Sequence, residues 1–187
     1  VVAATGGNRI TLVSGGGRSG KSSYALSLAP QPGIRRLFIA TCPPVDAEME
    51  ARIARHREER RGKGWETLES TLLPAGDIEK AAGYGFVVID CLSLWVNNLM
   101  YEADKAGKPL DESLMAEHAA SLVSLISRTG AEVVLVTNEV GMGIIPDNAA
   151  SRLYRDLLGR CNQVVAGGAG TVVLMTCGIP MVIKGGN

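Results

Sequence analysis

An α/β fold, with a mostly parallel sheet and helices on both of its faces, is predicted by three observations. Strand-length apolar runs alternate with helical stretches along the chain. The runs, such as Phe86-Val87-Val88-Ile89 and Val133-Val134-Leu135-Val136, are continuous rather than alternating, the pattern of strands covered on both faces. The first strand runs into Gly15-Gly16-Gly17-Arg18-Ser19-Gly20-Lys21-Ser22, which fits the phosphate-loop spacing G-x-x-x-x-G-K-[ST] and is followed by a helical stretch.

The elements follow in order. Arg9 to Ser14 reads as the strand entering the phosphate loop. The glycines let the backbone curl and turn its N–H groups onto an anion. Ser22 to Ala29 reads as the helix leaving the loop, its positive dipole end toward the phosphates. In such a loop Lys21 reaches the β/γ-phosphates and the Ser22 hydroxyl holds Mg²⁺. Arg36 to Thr41 is a strand, Asp46 to Arg61 a charged helix, Trp65 to Glu69 a short strand, and Ile78 to Ala82 a small helix. Phe86 to Asp90 is a buried strand ending in a carboxylate. Leu92 to Glu102 is helical, and Asp104 to Asp111, with Gly107 and Pro109, a loop. Glu112 to Arg128 is a long helix with Leu114, Leu122, Leu125 and Ile126 among its apolar positions. Glu132 to Thr137 is a buried strand. Pro146 to Ala166 is helix, with Pro146 in its first turn. Thr171 to Thr176 is the last strong strand, and Val182 to Lys184 adds an edge. With no repeat or linker, residues 1–187 read as a single P-loop NTPase-type domain, with ligands at the carboxyl ends of the strands.

Composition narrows the partners. The chain has 187 residues, 46% hydrophobic and 20% charged, which suits one globular domain with a sizeable core. Its formal net charge is +0, so nothing points to nucleic acid or an anionic membrane. No apolar run approaches the roughly 20 residues that span a bilayer. Val1 to Asn8 lacks the features of a signal peptide and reads as a mobile tail. Cys42, Cys91, Cys161 and Cys177 show no C-x-x-C pairing. They read as reduced thiols of a cytoplasmic protein, with Cys177 a packing residue.

Several residues are candidates for chemistry. Asp90 closes an apolar strand, where a carboxylate sits beside a P-loop and holds Mg²⁺ directly or through water, or else caps the next helix. The loop's need for a metal partner favours the first. Glu48, Arg52, His56 and Arg60 recur at intervals of four and share one helical face. Spacing alone favours a solvated face of weak ion pairs. A histidine between arginines also suits a nucleophile at phosphorus, because the cations favour the neutral imidazole with its free lone pair. His118 has no motif around it and reads as structural or solvated. Glu139 to Asn148, with two glycines and a proline, forms a turn at a strand's carboxyl end. It is either a ligand loop or an ordinary connection, and composition does not separate the two.

With these residues assembled, the chain resembles the bifunctional adenosylcobinamide kinase / adenosylcobinamide-phosphate guanylyltransferases of cobalamin biosynthesis, from Ile10 to Lys184. The resemblance rests on the P-loop, Ile39-Ala40-Thr41, Glu48-Met49 with Arg52-Ile53, and His56 with Arg60. It continues through Trp65-x-Thr67-x-Glu69, Thr137 to Ile144 with Pro146 and Asn148, and Gly159-Arg160-x-Asn162-Gln163. The P-loop is common to many families; the Asn-Glu-Val-Gly block and the R-I-x-x-H-x-x-x-R segment are far more specific.

The resemblance implies two reactions. A nucleoside triphosphate, ATP or GTP, phosphorylates the aminopropanol hydroxyl of adenosylcobinamide. GTP then gives GMP to an enzyme histidine, releasing pyrophosphate, and the GMP passes to adenosylcobinamide phosphate to give adenosylcobinamide-GDP. The guanylylated histidine matches His56. The nucleotide contacts match Gly15, Gly16, Gly17, Arg18, Ser19, Gly20, Lys21 and Ser22 of the loop, the turn Thr41-Cys42-Pro43, the segment Arg57-Glu58-Glu59-Arg60, Glu69 and Asp90. Mg²⁺ falls to Ser22 and Asp90. Members form a propeller-like trimer, which implies a homotrimer here. Members can carry two adjacent histidines, whereas Arg55 precedes His56 in this chain. Glu stands in relatives where this chain has Asp90. Two other functions are compatible with the P-loop by itself: a small-molecule kinase without guanylyltransferase activity, and a regulatory nucleotide-binding module.

Overall fold

The computed structural model describes residues 9–30, 33–43, 50, 53–54, 57–58 and 60–185. The P-loop strand β1 (Ile10–Gly15) leads into α1 (Lys21–Ser27). Then come β2 (Arg36–Ala40), β3 (Trp65–Glu69) and α2 (Ala75–Glu79), followed by β4 (Phe86–Asp90), α3 (Leu92–Lys105) and α4 (Glu112–Thr129). The chain closes with β5 (Glu132–Val136), α5 (Ala149–Gly168), β6 (Thr171–Thr176) and β7 (Ile179–Lys184). Residues 50, 53–54, 57–58 and 60 are helical, as expected for the charged segment. His56, Glu48, Arg52, Arg55, Glu59 and the Val1 to Asn8 segment lie outside the described residues.

The strands form one seven-stranded sheet in the order β3-β2-β4-β5-β1-β6-β7. All neighbours are parallel except β6 and β7. Successive strand residues point to opposite faces, so each continuous apolar run feeds two cores. Ile10, Leu12, Val87, Ile89, Val133 and Leu135 pack against Trp95 and Val96 of α3, Met115 and Leu122 of α4, and Leu157 and Cys161 of α5. Val13, Phe38, Val88, Val134 and Val136 pack on the other face with Ala25 of α1. The expected α/β architecture with both faces covered is thus present.

Several boundaries differ from expectation. Pro146 lies outside the helix it was expected to start: Asn148 is the cap, its side-chain oxygen accepting from the Ser151 N–H at 2.7 Å, and α5 begins at Ala149. The Pro146 carbonyl instead accepts from Arg152 at 2.9 Å, which holds the loop against the helix. The small helix starts earlier, at Ala75 after Pro74, and Lys80–Gly83 is a 3₁₀ turn. α3 continues through Asp104 to Lys105, so the loop starts at Ala106. Leu114 is exposed, because the Asp111 cap sets the phase of α4 so that Met115, Ala119, Leu122 and Ile126 face the core. The edge strand β7 is longer than Val182 to Lys184, and antiparallel.

Cys177 is also corrected. It occupies the β6–β7 turn with φ 52° and is exposed rather than packed. Cys161 is fully buried, which pushes its thiol up to about 12. Burial, with the Asp90 carboxylate adding to it, pushes Cys91 up to about 11. Both lie above the ordinary thiol value, so the folded state holds these protons more tightly than the unfolded chain. Their contribution to stability is full below about pH 9 and is lost as pH rises toward the folded values. A thiol reagent at pH 8 is therefore expected to modify Cys177 quickly and Cys161 only on unfolding. Urea midpoints should fall as pH rises beyond about 9, and replacing Cys161 by Ala should flatten that fall. Equal labelling rates for the two thiols would contradict the packing.

Candidate active site

The P-loop is shaped by close approach. Gly15 has φ 151°, and a Cβ there would lie 2.5 Å from the Met175 carbonyl oxygen and 2.8 Å from Ser19 Oγ. Gly20, at φ 91°, caps α1, and the Gly178 N–H in the β6–β7 turn donates to the Ser19 carbonyl at 3.2 Å. The loop is therefore clamped between β1 and the tip of β6. Lys21 is 7% exposed and donates to the Gly16 carbonyl at 2.5 Å and to Ser19 Oγ at 3.4 Å. The ammonium thus closes over the loop in which phosphate oxygens would sit. Gly15→Ala is expected to cost about 3 kcal/mol through strain and overpacking. It should weaken nucleotide binding at least tenfold, about 1.4 kcal/mol. A thermal melt with a nucleotide titration checks both, and wild-type values in both would contradict the clamp.

A cleft of about 910 Å³ opens at the carboxyl ends of the strands. The stretch Gly17 to Ser22, Cys42, Arg57, Arg60, Glu69 and Asp90 line it, so the structure brings these expected residues together. Gly15, buried, and Gly16, exposed, are absent from that lining. Thr41 does not reach the cleft. It is fully buried, and its Oγ1 accepts from the Cys91 N–H and donates to the Cys91 carbonyl, both at 2.7 Å. Asn98 then donates to the carbonyls of Thr41 and Thr71, each at 2.9 Å. This turn fixes the tips of β2 and β4 rather than presenting a side chain. Pro43 is also absent from the lining, and Glu58 lines a neighbouring hollow of about 450 Å³ with Arg57, Arg60, Arg61 and Trp65.

Asp90 is not a helix cap, since Cys91 occupies that position at the start of α3. Its strand is not beside β1; β5 lies between, with Val136 paired to Asp90 on one side and Val13 on the other. The two backbones are therefore about 9–10 Å apart. Arg60 contradicts a solvated face. It is 5% exposed, and its guanidinium lies 3.6 Å from the centroid of the Phe38 ring. Its Nη2 donates to Thr67 Oγ1 at 3.4 Å. Arg57 pairs with Glu69, both half-exposed, so the pair adds little stability and is free to exchange for a ligand. His118 is half-buried on α4, away from the cleft lining.

Sequence reasoning gave no role to a hydrogen-bonded floor beneath this lining. The Asn138 N–H donates to Ser93 Oγ at 2.8 Å, and its carbonyl accepts from Asn162 Nδ2 at 3.1 Å. Thr137 Oγ1 donates to Asn162 Oδ1 at 2.7 Å, and the Tyr154 hydroxyl donates to the Ser93 carbonyl at 3.2 Å. Ser93, Asn138 and Tyr154 all line the cleft. The signal that could have found Asn138 was its position just past the end of β5, where open α/β sheets bind ligands.

The chain is similar to known proteins over most of its length. Residues 11–183 match the family model described as cobinamide kinase / cobinamide phosphate guanyltransferase. The chain is 38% identical to the bifunctional adenosylcobalamin biosynthesis protein CobP of Pseudomonas aeruginosa, over 93% of this chain and 96% of that protein. It is 39% identical to the bifunctional adenosylcobalamin biosynthesis protein CobU of Escherichia coli, over 92% of this chain and 98% of that one. Among solved structures, a KaiC-like protein from Pyrococcus horikoshii superposes with a TM-score of 0.52 at 14% identity, covering 90% of this chain and 71% of its own, a likeness of fold alone.

Proposed function

The chain belongs to the cobinamide kinase / cobinamide phosphate guanyltransferase family, and from that membership we propose that it performs both reactions in one cleft. The observation that carries the reading is the convergence of the P-loop, Arg57, Arg60, Glu69 and Asp90 on one cavity of nucleotide size. In the kinase step the hydroxyl oxygen of adenosylcobinamide attacks the γ-phosphorus of ATP or GTP. The bond from that phosphorus to the bridging oxygen breaks, its electron pair leaves with the nucleoside diphosphate, and the hydroxyl proton passes to water. Lys21 and the loop N–H groups hold the triphosphate oxygens as charge shifts among them.

In the second reaction a ring nitrogen of neutral His56 attacks the α-phosphorus of GTP, and pyrophosphate leaves with the bond electrons. The phosphate of adenosylcobinamide phosphate then attacks the same phosphorus, and His56 departs. Covalent catalysis splits one difficult transfer into two displacements. Arg57 and Arg60, which follow His56 in the chain and line the cleft, would balance the charge on the phosphoryl oxygens.

Among the described residues no group of three or more His, Cys, Asp or Glu could hold a metal ion. The Ser22 hydroxyl and Asp90 carboxylate, both on the cleft, suit Mg²⁺ shared with substrate phosphates, because Mg²⁺ takes one or two protein oxygens and leaves the rest to phosphate and water. When bound, the ion would neutralise charge on the triphosphate. The reading includes a cytoplasmic homotrimer. No described helix is long and apolar enough to cross a membrane. Exposed Ile179, Met181 and Ile183 on the edge strand β7 support contact with a second copy.

A P-loop kinase that lacks the second activity gains no support from the family description, which names both. The direct test is incubation with adenosylcobinamide, γ-labelled ATP or GTP, and Mg²⁺. Labelled adenosylcobinamide phosphate is the expected product; nucleotide binding with no transfer to the corrinoid would overturn the reading.

A further inference from the structure

We propose that the side-chain amide of Asn138 donates a hydrogen bond to the γ-phosphoryl group during the kinase step, and that Asn162 and Ser93 position it. This inference rests on the function proposed above. Asn138 sits just past the end of β5, the strand inserted between the P-loop strand and the strand carrying Asp90. Backbone bonds carry β5 onward along β1: Thr137 N–H to the Val13 carbonyl at 2.9 Å, and Glu139 N–H to the Gly15 carbonyl at 3.1 Å. Asn138 is thereby locked beside the first glycine of the loop.

Its own backbone is occupied on both sides, by Ser93 Oγ and by Asn162 Nδ2. Its side-chain amide makes no hydrogen bond among the described residues, although the residue is half-buried and lines the cleft. The amide keeps its donors unused by the described residues while the residue lines the cleft, which leaves it available to a ligand. Asn162 is absent from the cleft lining, and both ends of its amide are engaged, accepting from Thr137 Oγ1 and donating to the Asn138 carbonyl, so it acts through Asn138 and not on substrate.

Position selects the γ-phosphate. Lys21, Ser22 and Asp90 gather at this end of the cleft, where the β/γ-phosphates and their metal belong. Phe38 of β2, Thr67 of β3, and Arg57 and Arg60 line the other part. With β4 between β5 and β2, the two regions lie about 10 Å apart along the sheet. A donor at Asn138 therefore serves transfer of the terminal phosphoryl group, and attack by His56 at the α-phosphorus proceeds without it.

The test compares wild type with Asn138→Ala, Asn138→Ser and Asn162→Ala. It measures phosphorylation of adenosylcobinamide, formation of the GMP adduct from α-labelled GTP, nucleotide Kd and the thermal midpoint. Asn138→Ala should lower the kinase kcat about 100-fold, the effect of removing one donor to developing charge. Nucleotide Kd and the rate of adduct formation should stay within about threefold, well under 1.4 kcal/mol. Asn138→Ser, which keeps a shorter donor, should recover part of the loss, and Asn162→Ala should lose kcat with little change in KM. Two results overturn the inference: a kinase kcat within about threefold of wild type, or equal losses in both reactions with a lowered thermal midpoint, the mark of a structural role. A wild-type protein that phosphorylates no corrinoid overturns the underlying function, which is distinguishable because it appears before any variant is made.

Discussion

Lys21→Ala is expected to abolish both reactions while the protein stays folded. The loss should reach at least about 10³ in kcat/KM for phosphorylation, roughly 4 kcal/mol. The lysine is the cation closed over the phosphate loop, bonded to the Gly16 carbonyl and Ser19 Oγ. Nucleotide binding would exchange those contacts for phosphate oxygens at a largely buried ammonium, where charge is less screened than in bulk water. Both reactions begin with a bound triphosphate, so both should fall together. Lys21→Arg should rescue little, because a planar guanidinium does not fit where a compact ammonium bonds within its own loop. Circular dichroism with steady-state kinetics checks this. A folded Lys21→Ala protein within about tenfold of wild type, a difference of about 1.4 kcal/mol, would contradict the assignment.

His56→Ala should separate the two reactions. The guanylyl transfer is expected to disappear, because the covalent route has no nucleophile and Arg55 offers no second imidazole. Phosphorylation should persist within about threefold, since Lys21, Ser22 and Asp90 are untouched. Incubating the variant with adenosylcobinamide, GTP and Mg²⁺ should therefore accumulate adenosylcobinamide phosphate without adenosylcobinamide-GDP. Chromatography of the corrinoid products reads both at once. Undiminished adenosylcobinamide-GDP would contradict the role given to His56.

The parts of this site that were legible in the sequence are those encoded locally. The phosphate loop is a contiguous string whose glycines, lysine and serine each meet a backbone or charge requirement. The strands β1, β2, β4, β5 and β6 are short apolar runs bounded by polar or turn residues, and each formed within a residue of where its run lies. What stayed hidden is non-local. No residue in Phe86 to Asp90 shows that β5 intervenes between it and β1, since strand order is set by pairing across the whole chain. Asn138 stood in a specific sequence block past β5, but the hold on its backbone by Ser93 and Asn162, 45 and 24 residues away, is non-local and was not legible. Arg60 read as a solvated charge because helical spacing carries no record of the Phe38 ring beneath it. Pro146 was misplaced because its preference for a first helical turn was outweighed by Asn148, a stronger cap two residues later.

The central claim, that one P-loop domain also forms a covalent guanylyl intermediate, is tested most directly by labelling. Wild type and His56→Ala are incubated with α-³²P-GTP and Mg²⁺, denatured, and the protein-bound label is challenged with acid and with base. Label on the wild type that is acid-labile, base-stable and missing from His56→Ala is the predicted result. A folded, GTP-binding wild type that takes up no label would contradict it.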